Sequence, residues 1–253
     1  MHAIPEGFTL ALGGGGARGW AHVGVARALA AHGLAPRRIV GTSMGAIVGA
    51  ALAAGRTPDE IEAGALQAPM HRLMTRRGRF ALFDPRPMLD HLARELGDPR
   101  IEDLPLPLGV TTYDLVAGAP RLITRGRLVE ALERSIAVPF FFPPRHDRDG
   151  VWCDAGPWEG IPVTLAREWQ SEDPIIGVLA DIPKPALLAS RSGAFLLRAV
   201  SSRLGVRDPL ERLTARRYLA LLTARWADPV VRTPPDLLIA PRLGRMNALQ
   251  FGR

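Results

Sequence analysis

Gly41-Thr42-Ser43-Met44-Gly45 is the stretch of this sequence whose residue types are best suited to chemistry. The short apolar run Ile39-Val40 precedes it, and small apolar residues with helical character follow it. In this strand-turn-helix context, G-x-S-x-G forms a sharp turn that presents the serine hydroxyl as a nucleophile. Glycine suits positions 41 and 45 because a Cβ there would meet the neighbouring backbone. The motif is common by chance, so the groups that would assist Ser43 decide whether it is catalytic.

A glycine-rich loop, Gly14-Gly15-Gly16-Ala17-Arg18-Gly19, lies one strand earlier, directly after the apolar run 8–12. Strand, loop, helix and second strand form a βαβ unit, in which parallel strands bring their carboxyl-end loops to the same edge of the sheet. We therefore predict that the amides of Gly14, Gly15 and Gly16 form an oxyanion hole beside Ser43. Arg18 is expected to brace the loop or to attract an anionic substrate.

The same loop fits G-x-G-x-x-G, a pattern that also predicts dinucleotide binding. That interpretation requires an acidic residue near the end of the second strand, where it would bind the ribose hydroxyls. No acidic residue occurs between Glu6 and Asp59. The serine motif also follows on the very next strand. We favour the oxyanion hole and keep an NADP-binding protein as the alternative.

A serine nucleophile needs a group that takes its proton. The chain order Ser-Asp-His would place a histidine late in the sequence, but the last histidine is His146. His22 lies on the first predicted helix among apolar neighbours, and we interpret it as structural. Asp154 follows the apolar run 151–153 at a predicted strand end. It is therefore the best candidate for a carboxylate base.

Other patterns predict the elements that position these residues. Asp114 ends another predicted strand, and we interpret it as a turn cap. Thr57 is predicted to cap a helix that starts at Pro58. Further buried strands are expected at 108–113, 175–180 and 236–240, and helices at 124–137 and within 186–226.

Length and composition favour one α/β domain: 253 residues, 47% hydrophobic and 23% charged, without repeats. The formal net charge of +7 is carried by arginine, since Lys184 is the only lysine, and it suits anionic partners. Scattered arginines and only 6% aromatic residues argue against nucleic acid as a partner. One cysteine, Cys153, excludes an internal disulfide and makes a thiolate metal cluster implausible.

The start of the chain has no basic leader region, and no apolar run reaches the roughly 18 residues that would span a bilayer. We therefore expect a cytoplasmic protein without a transmembrane segment, with any membrane contact peripheral. The arginine-rich helices within 186–226 have two interpretations. They either cover the sheet with a solvated basic face or form a face for anionic membranes.

Taken together, these motifs resemble the patatin-like phospholipases, which are serine acyl hydrolases with a Ser-Asp dyad. The resemblance extends from about residue 8 to residue 170. It rests on the glycine loop, the serine motif, the segment Val138-Pro139-Phe140 with Phe142-Pro143-Pro144, and Asp154-Ala155-Gly156 followed by Pro162.

The resemblance implies that Ser43 is the nucleophile, Asp154 the general base and the glycine loop the oxyanion hole. Acyl esters of lipids would be the substrates, and the family uses no metal or organic cofactor. The expected fold is a three-layer α/β/α domain with a mostly parallel sheet and helices on both faces. We assign the motif-bearing core to about 8–170, C-terminal helices and a last strand to about 171–241, and a loose tail to 242–253.

Two departures from the family pattern concern the third motif. Ala155 stands where the family usually has glycine, and alanine there would cost about 1 kcal/mol if the position needs a positive φ. Glu159-Gly160 stands where the family often has asparagine before the proline. Both make reduced activity conceivable. The alternative function is therefore a catalytically weak lipid- or membrane-binding regulator that keeps the fold.

Overall fold

The computed structural model describes residues 7–67, 73, 75–76, 83–138, 141–169, 172–180, 213–214, 216–217, 232–244 and 246. Most of the predicted helices within 186–226 lie outside the described residues, as do Pro139-Phe140 and most of the predicted loose tail. No helix of the described residues is long and apolar enough to cross a membrane.

The described strands are β1 (Phe8–Leu12), β2 (Pro36–Thr42), β3 (Thr75–Arg76), β4 (Phe83–Asp84), β5 (Leu108–Asp114), β6 (Ala119–Ile123), β7 (Arg145–Asp147), β8 (Gly150–Cys153), β9 (Ile175–Val178) and β10 (Leu237–Ile239). The described α-helices are α1 (Ala21–Ala31), α2 (Met44–Ala53), α3 (Pro58–Gln67), α4 (Arg86–Leu96), α5 (Leu128–Ser135) and α6 (Val163–Trp169). Short 3-10 turns cover Gly16–Trp20 and Ile101–Asp103.

Eight of the described strands form one mixed sheet. β10, β9, β1, β2 and β5 are neighbours in that order, and all four pairings are parallel. β6 and β8 both pair with β5 in the antiparallel sense, and β7 extends β8. Strands of the last third, β9 and β10, thus join the same sheet as the glycine loop and the serine motif, on the far side of β1.

Helices cover both faces of the sheet, as the α/β prediction requires. Alternate residues of β1 point to opposite faces. Phe8, Leu10 and Leu12 pack in a large buried cluster with residues of α1, α2, α4 and α5. Ala11 packs on the other face in a smaller cluster that includes Val163 of α6. The prediction of an α/β fold with helices on both faces is confirmed.

The strands β2 and β8 meet end to end along one edge of β5. β2 is paired with β5 up to Thr42 opposite Thr111, and β8 is paired down to Cys153 opposite Tyr113. β6 pairs with residues 110–114 of β5 and therefore occupies the other edge. β8 must then share the edge with β2, running in the opposite direction. The two strand ends face each other at Thr112.

Several predicted boundaries are corrected. α5 covers Leu128–Ser135, which is shorter than the predicted 124–137, because residue 127 is bridged to Arg100 in an extended conformation. β2 begins at Pro36, earlier than the apolar pattern indicates. The predicted cap of α3 is confirmed: Thr57 Oγ1 accepts a hydrogen bond from the Glu60 amide at 3.2 Å, and the Glu60 carboxylate accepts one from the Thr57 amide at 2.8 Å.

Candidate active site

Ser43 lies in a sharp turn between β2 and α2. Its φ of 56° and ψ of −123° belong to a region that non-glycine residues rarely occupy, at a cost of about 1–3 kcal/mol. A Cβ on Gly41 would lie 2.5 Å from Gly45 O, and a Cβ on Gly45 would lie 2.3 Å from Leu12 O. Both glycines are therefore required by close backbone contacts, as the motif predicts.

The backbone of Ser43 is held by both neighbouring helices. Its amide donates a hydrogen bond of 2.9 Å to Ser135 Oγ at the end of α5. Its carbonyl accepts from the Ala46 and Ile47 amides in the first turn of α2. Ser43 is 7% exposed, and Ser135 is fully buried. The N-terminus of α2 next to Ser43 favours negative charge that develops there.

Asp154 follows β8 and so comes to the end-to-end junction from the opposite direction to Ser43. Asp154 directly follows Cys153, the last residue of β8, and Ser43 directly follows Thr42, the last residue of β2. These two strand ends pair with β5 on either side of Thr112. The Asp154 amide donates to Ala137 O at 3.1 Å, two residues beyond the Ser135 that holds Ser43. The two predicted catalytic residues therefore follow strand ends that meet on the same edge of β5.

The Asp154 side chain is buried, with an exposed fraction of 3%. Its Oδ1 accepts a hydrogen bond of 2.6 Å from the Gly156 amide, which fixes the turn after β8. The neighbouring Cys153 is fully buried, and burial raises the pKa of its thiol well above the usual range, with the Asp154 charge adding to the effect. The thiol therefore stays protonated and takes no part in acid–base chemistry.

The glycine loop lies against the serine turn, as predicted from the βαβ unit. A Cβ on Gly14 would lie 3.5 Å from Ser43 Cβ, and one on Gly19 would lie 2.4 Å from Met44 Cγ. Gly16 has a φ of 54° and starts the 3-10 turn that leads into α1. The absence of a side chain at Gly19 thus lets the loop approach Met44 closely, whereas a Cβ on Gly14 would make an ordinary contact with Ser43.

The three glycines of the predicted oxyanion hole are not equivalent. The Gly14 amide donates a hydrogen bond of 3.1 Å to Gly160 O and is therefore already used within the protein. The Gly15 carbonyl accepts from the Arg18 amide at 3.2 Å, which closes the loop. This leaves the amides of Gly15 and Gly16 as the candidates for an oxyanion hole.

The second strand-end aspartate has a different role. Asp114 Oδ1 accepts hydrogen bonds from the amides of Val116 and Ala117 at 2.8 and 2.9 Å. Its other oxygen lies 3.8 Å from Arg121 Nε. The prediction that Asp114 caps a turn is confirmed.

Among the described residues, no group of three His, Cys, Asp or Glu side chains is arranged to hold a metal ion.

This geometry can be compared with known proteins. A family model described as patatin-like phospholipase matches residues 10–167, which is more than half of the chain. The chain belongs to the patatin-like phospholipase family. The matched range contains the glycine loop, Ser43 and Asp154, so the resemblance predicted from the motifs is confirmed. Family membership supports lipid acyl hydrolysis as the general activity.

Individual patatin-like relatives agree with this assignment. An uncharacterized NTE family protein of Mycobacterium tuberculosis is 38% identical over 185 residues, which cover 69% of this chain and 47% of the relative. Patatin-like phospholipase domain-containing protein 7 of Rattus norvegicus is 35% identical over 169 residues, 63% of this chain and 12% of the relative. The match thus spans about half of the mycobacterial relative and a small part of the rat one.

A solved structure supports the fold. The crystal structure of VipD from Legionella pneumophila matches with a TM-score of 0.56 and covers 88% of this chain and 68% of that chain. The two sequences are 13% identical. At this level of identity the match concerns the patatin-like architecture and not the substrate.

The arginine of the patatin-like glycine loop is buried inside the protein. Arg18 is 4% exposed, and its Nη1 donates a hydrogen bond to the carbonyl of Met246. It therefore connects the glycine loop to the C-terminal segment. This contact supports the loop-organising half of the prediction for Arg18, and a direct role in substrate binding stays a prediction.

Ala155, the departure from the patatin-like third motif, is accommodated without strain. The described non-glycine residues with a positive φ are Ser43 and Asp98, so Ala155 has an ordinary backbone conformation. Its methyl group is 2% exposed and packs with Tyr113, Leu115 and Val151. The cost that a positive φ would impose on alanine therefore does not arise.

The variant Ala155→Gly is expected to lower the free energy of unfolding by about 1 kcal/mol, because it removes a buried methyl group and adds backbone freedom to the unfolded chain. We expect kcat to stay unchanged, since no strain at Asp154 is relieved. Urea unfolding and ester hydrolysis check the two parts. A rise in kcat would mean that Ala155 does distort the aspartate.

Two contacts of this site lack a local sequence signal. Ser135 holds the Ser43 amide across 92 residues of chain, and nothing around it marks it as part of the site. Gly160 accepts the hydrogen bond of Gly14 although it lies in the loop after Asp154. Both were missed because they depend on which loops the sheet brings together.

Proposed function

We propose that this protein hydrolyses carboxylic esters of lipids through an acyl-Ser43 intermediate, in the manner of a phospholipase A or lysophospholipase. Asp154 is the general base, and the amides of Gly15 and Gly16 stabilise the oxyanion. Arg18 organises the glycine loop. The observation that carries the proposal is the junction of β2 and β8, where the strained Ser43 and the buried Asp154 follow strand ends that meet on the same edge of β5.

The proposed reaction has two steps. In the first, Asp154 takes the proton of Ser43 Oγ while this oxygen attacks the ester carbonyl carbon, and the carbonyl oxygen becomes the oxyanion. Asp154 then gives the proton to the leaving alcohol, which departs. In the second step, a water molecule attacks the carbonyl carbon of the acyl-serine, and Asp154 takes a proton from this water. The fatty acid is released, and the proton returns to Ser43 Oγ.

An apolar groove beside the serine turn supports a substrate with a long acyl chain. It runs along α2 between α3 and α4. Its described lining includes the apolar Trp20, Ile47, Ala51, Ile61, Met88 and Leu92, and also the polar side chains of Arg56, Glu60, His91 and Glu95. Ile47 lies one helical turn from Ser43, and Trp20 ends the 3-10 turn after the glycine loop. We propose that the acyl chain of the ester binds in this groove.

Filling the groove should discriminate between long and short esters. The variant Ala51→Phe would displace about two methylenes of the acyl chain from the groove, and their burial contributes roughly 1.6 kcal/mol. We therefore expect kcat/KM for p-nitrophenyl palmitate to fall about tenfold or more. Hydrolysis of p-nitrophenyl butyrate should be unaffected. The control Ala30→Phe changes an exposed position of α1 outside the groove. Equal losses for both esters would argue against acyl binding there.

The proposed function is tested by active-site labelling and turnover. The wild type is expected to react with a fluorescent fluorophosphonate and to release fatty acid from phospholipid or lysophospholipid vesicles. Ser43→Ala should lose both activities and keep the thermal unfolding curve. An unlabelled, folded wild type or turnover that survives in Ser43→Ala would overturn the proposal.

Strain at Ala155 was the reason for the alternative of a catalytically weak lipid-binding regulator, and the structure does not show this strain. The second departure, Glu159, is buried and accepts hydrogen bonds from the Thr164 amide and hydroxyl at the start of α6. It therefore has a structural role. Peripheral contact with anionic membranes stays a prediction, since most of the range 186–226, where basic helices are predicted, lies outside the described residues.

A further inference from the structure

The peptide unit between Gly13 and Gly14 is fixed at both of its polar atoms. The Gly13 carbonyl accepts a hydrogen bond of 2.7 Å from His22 Nε2 on α1. At the opposite edge of the same peptide unit, the Gly14 amide donates a hydrogen bond of 3.1 Å to Gly160 O. The plane of this peptide is therefore set by one contact from the first helix and one from the loop after Asp154.

The neighbouring backbone packs closely around this peptide. A Cβ on Gly13 would lie 2.5 Å from Gly160 O and 3.0 Å from Val178 O, and the Gly13 amide donates to Val178 O at 3.0 Å. The next two amides belong to Gly15 and Gly16, the candidate oxyanion donors. Rotation of the Gly13–Gly14 plane would change the direction in which these two amides point.

The His22 ring is a neutral donor of one hydrogen bond. It is fully buried, and because a carbonyl oxygen only accepts, Nε2 carries the hydrogen. Nδ1 is buried and has no hydrogen-bond partner among the described residues. Burial lowers the pKa of His22 to about 4, while the contact with Gly13 opposes the change. The ring is therefore a neutral donor near pH 7. A base role at Ser43 does not fit, since the Nε2 hydrogen is directed at Gly13 O.

We infer that His22 is a positioning residue of the oxyanion loop, whose Nε2–H fixes the Gly13–Gly14 peptide so that the following amides point to the ester oxygen beside Ser43. The inference rests on the proposed acyl hydrolysis. Because Gly160 holds the other side of the same peptide, His22 also keeps the donor loop in register with the loop that carries Asp154.

Two substitutions of similar size separate this role from packing. Gln places an amide donor near the position of Nε2, and Met fills the same space without a donor. His22→Met is expected to lower kcat and the fluorophosphonate labelling rate about 100-fold, the effect of a displacement of about 1 Å in a catalytic group. KM for the ester should stay close to wild type. His22→Gln should recover most of kcat, with a similar melting temperature for both variants.

The outcomes distinguish this inference from the proposed function. A folded wild type without labelling or turnover overturns the proposed function, and the inference with it. An active wild type whose kcat is unchanged in His22→Met overturns the inference alone, as does an equal loss in the Gln and Met variants. If His22→Met does not fold, His22→Asn replaces it, because its amide is one methylene short of the Gly13 carbonyl. A kcat of His22→Asn equal to that of His22→Gln then contradicts the role.

Discussion

Replacing Asp154 with Asn is expected to reduce kcat for lipid ester hydrolysis about 10²–10⁴-fold, the range that removal of a general base costs. Asn cannot take the proton of Ser43, whereas its side-chain oxygen can still accept the 2.6 Å hydrogen bond from the Gly156 amide. The turn after β8 should therefore persist, and the melting temperature should change little. Steady-state kinetics and the rate of fluorophosphonate labelling measure the effect.

Asp114→Asn is the matched control for this experiment. Asp114 is also a buried aspartate at a strand end, and it also accepts backbone hydrogen bonds from residues that follow it. Asn keeps these bonds and loses only the 3.8 Å contact with the half-exposed Arg121, which contributes little. We expect unchanged kcat in Asp114→Asn. If Asp154→Asn were as active as this control, another group would have to be the base.

Gly45→Ala is expected to have the largest effect on stability. The added Cβ would lie 2.3 Å from Leu12 O and 2.5 Å from Gly13 O, and both are backbone atoms of β1 and the glycine loop. Overpacking of this kind costs about 3 kcal/mol or more. In a chain of this size such a loss lowers the melting temperature by about 6–12 °C. Labelling of Ser43 should also disappear, because relief of the clash moves the serine turn away from the glycine loop.

The control for this substitution is Gly24→Ala in the middle of α1. Gly24 is exposed, and a Cβ there would meet nothing within 4 Å. Alanine in this helix should raise the free energy of unfolding by about 0.5–1 kcal/mol. Thermal denaturation of both variants gives the comparison. A Gly45→Ala protein as stable as wild type would show that the backbone of the serine turn tolerates a side chain.

The sequence was sufficient for those parts of the site that depend on local backbone geometry. The order strand, glycine loop, helix, strand predicted the parallel neighbours β1 and β2, and with them the approach of Gly14 to Ser43. The demand for glycine at positions 41 and 45 followed from the sharpness of the turn and is confirmed by contacts of 2.5 and 2.3 Å. The cap at Thr57 was readable for the same reason.

The parts that sequence could not supply depend on distant pairing. Nothing in the pattern of β8 says that it runs against β5 on the edge that β2 occupies, so the junction of Ser43 and Asp154 needed the structure. The use of the Gly14 amide by Gly160 likewise depends on two loops 146 positions apart in the chain. Ala155 was a conditional case, since a motif does not give the sign of φ, and the structure shows that φ at Ala155 is not positive.

The end-to-end junction of β2 and β8 also has a consequence for the chain as it is synthesised. During synthesis from the N-terminus, the glycine loop and Ser43 leave the ribosome long before residues 150–154 exist. Under the proposed mechanism, such a nascent chain carries a serine hydroxyl without a proton acceptor and without the Ser135 contact that holds its amide. On this mechanism, ester cleavage would start only when β8 pairs with β5, and an incomplete chain would not hydrolyse the proposed substrate.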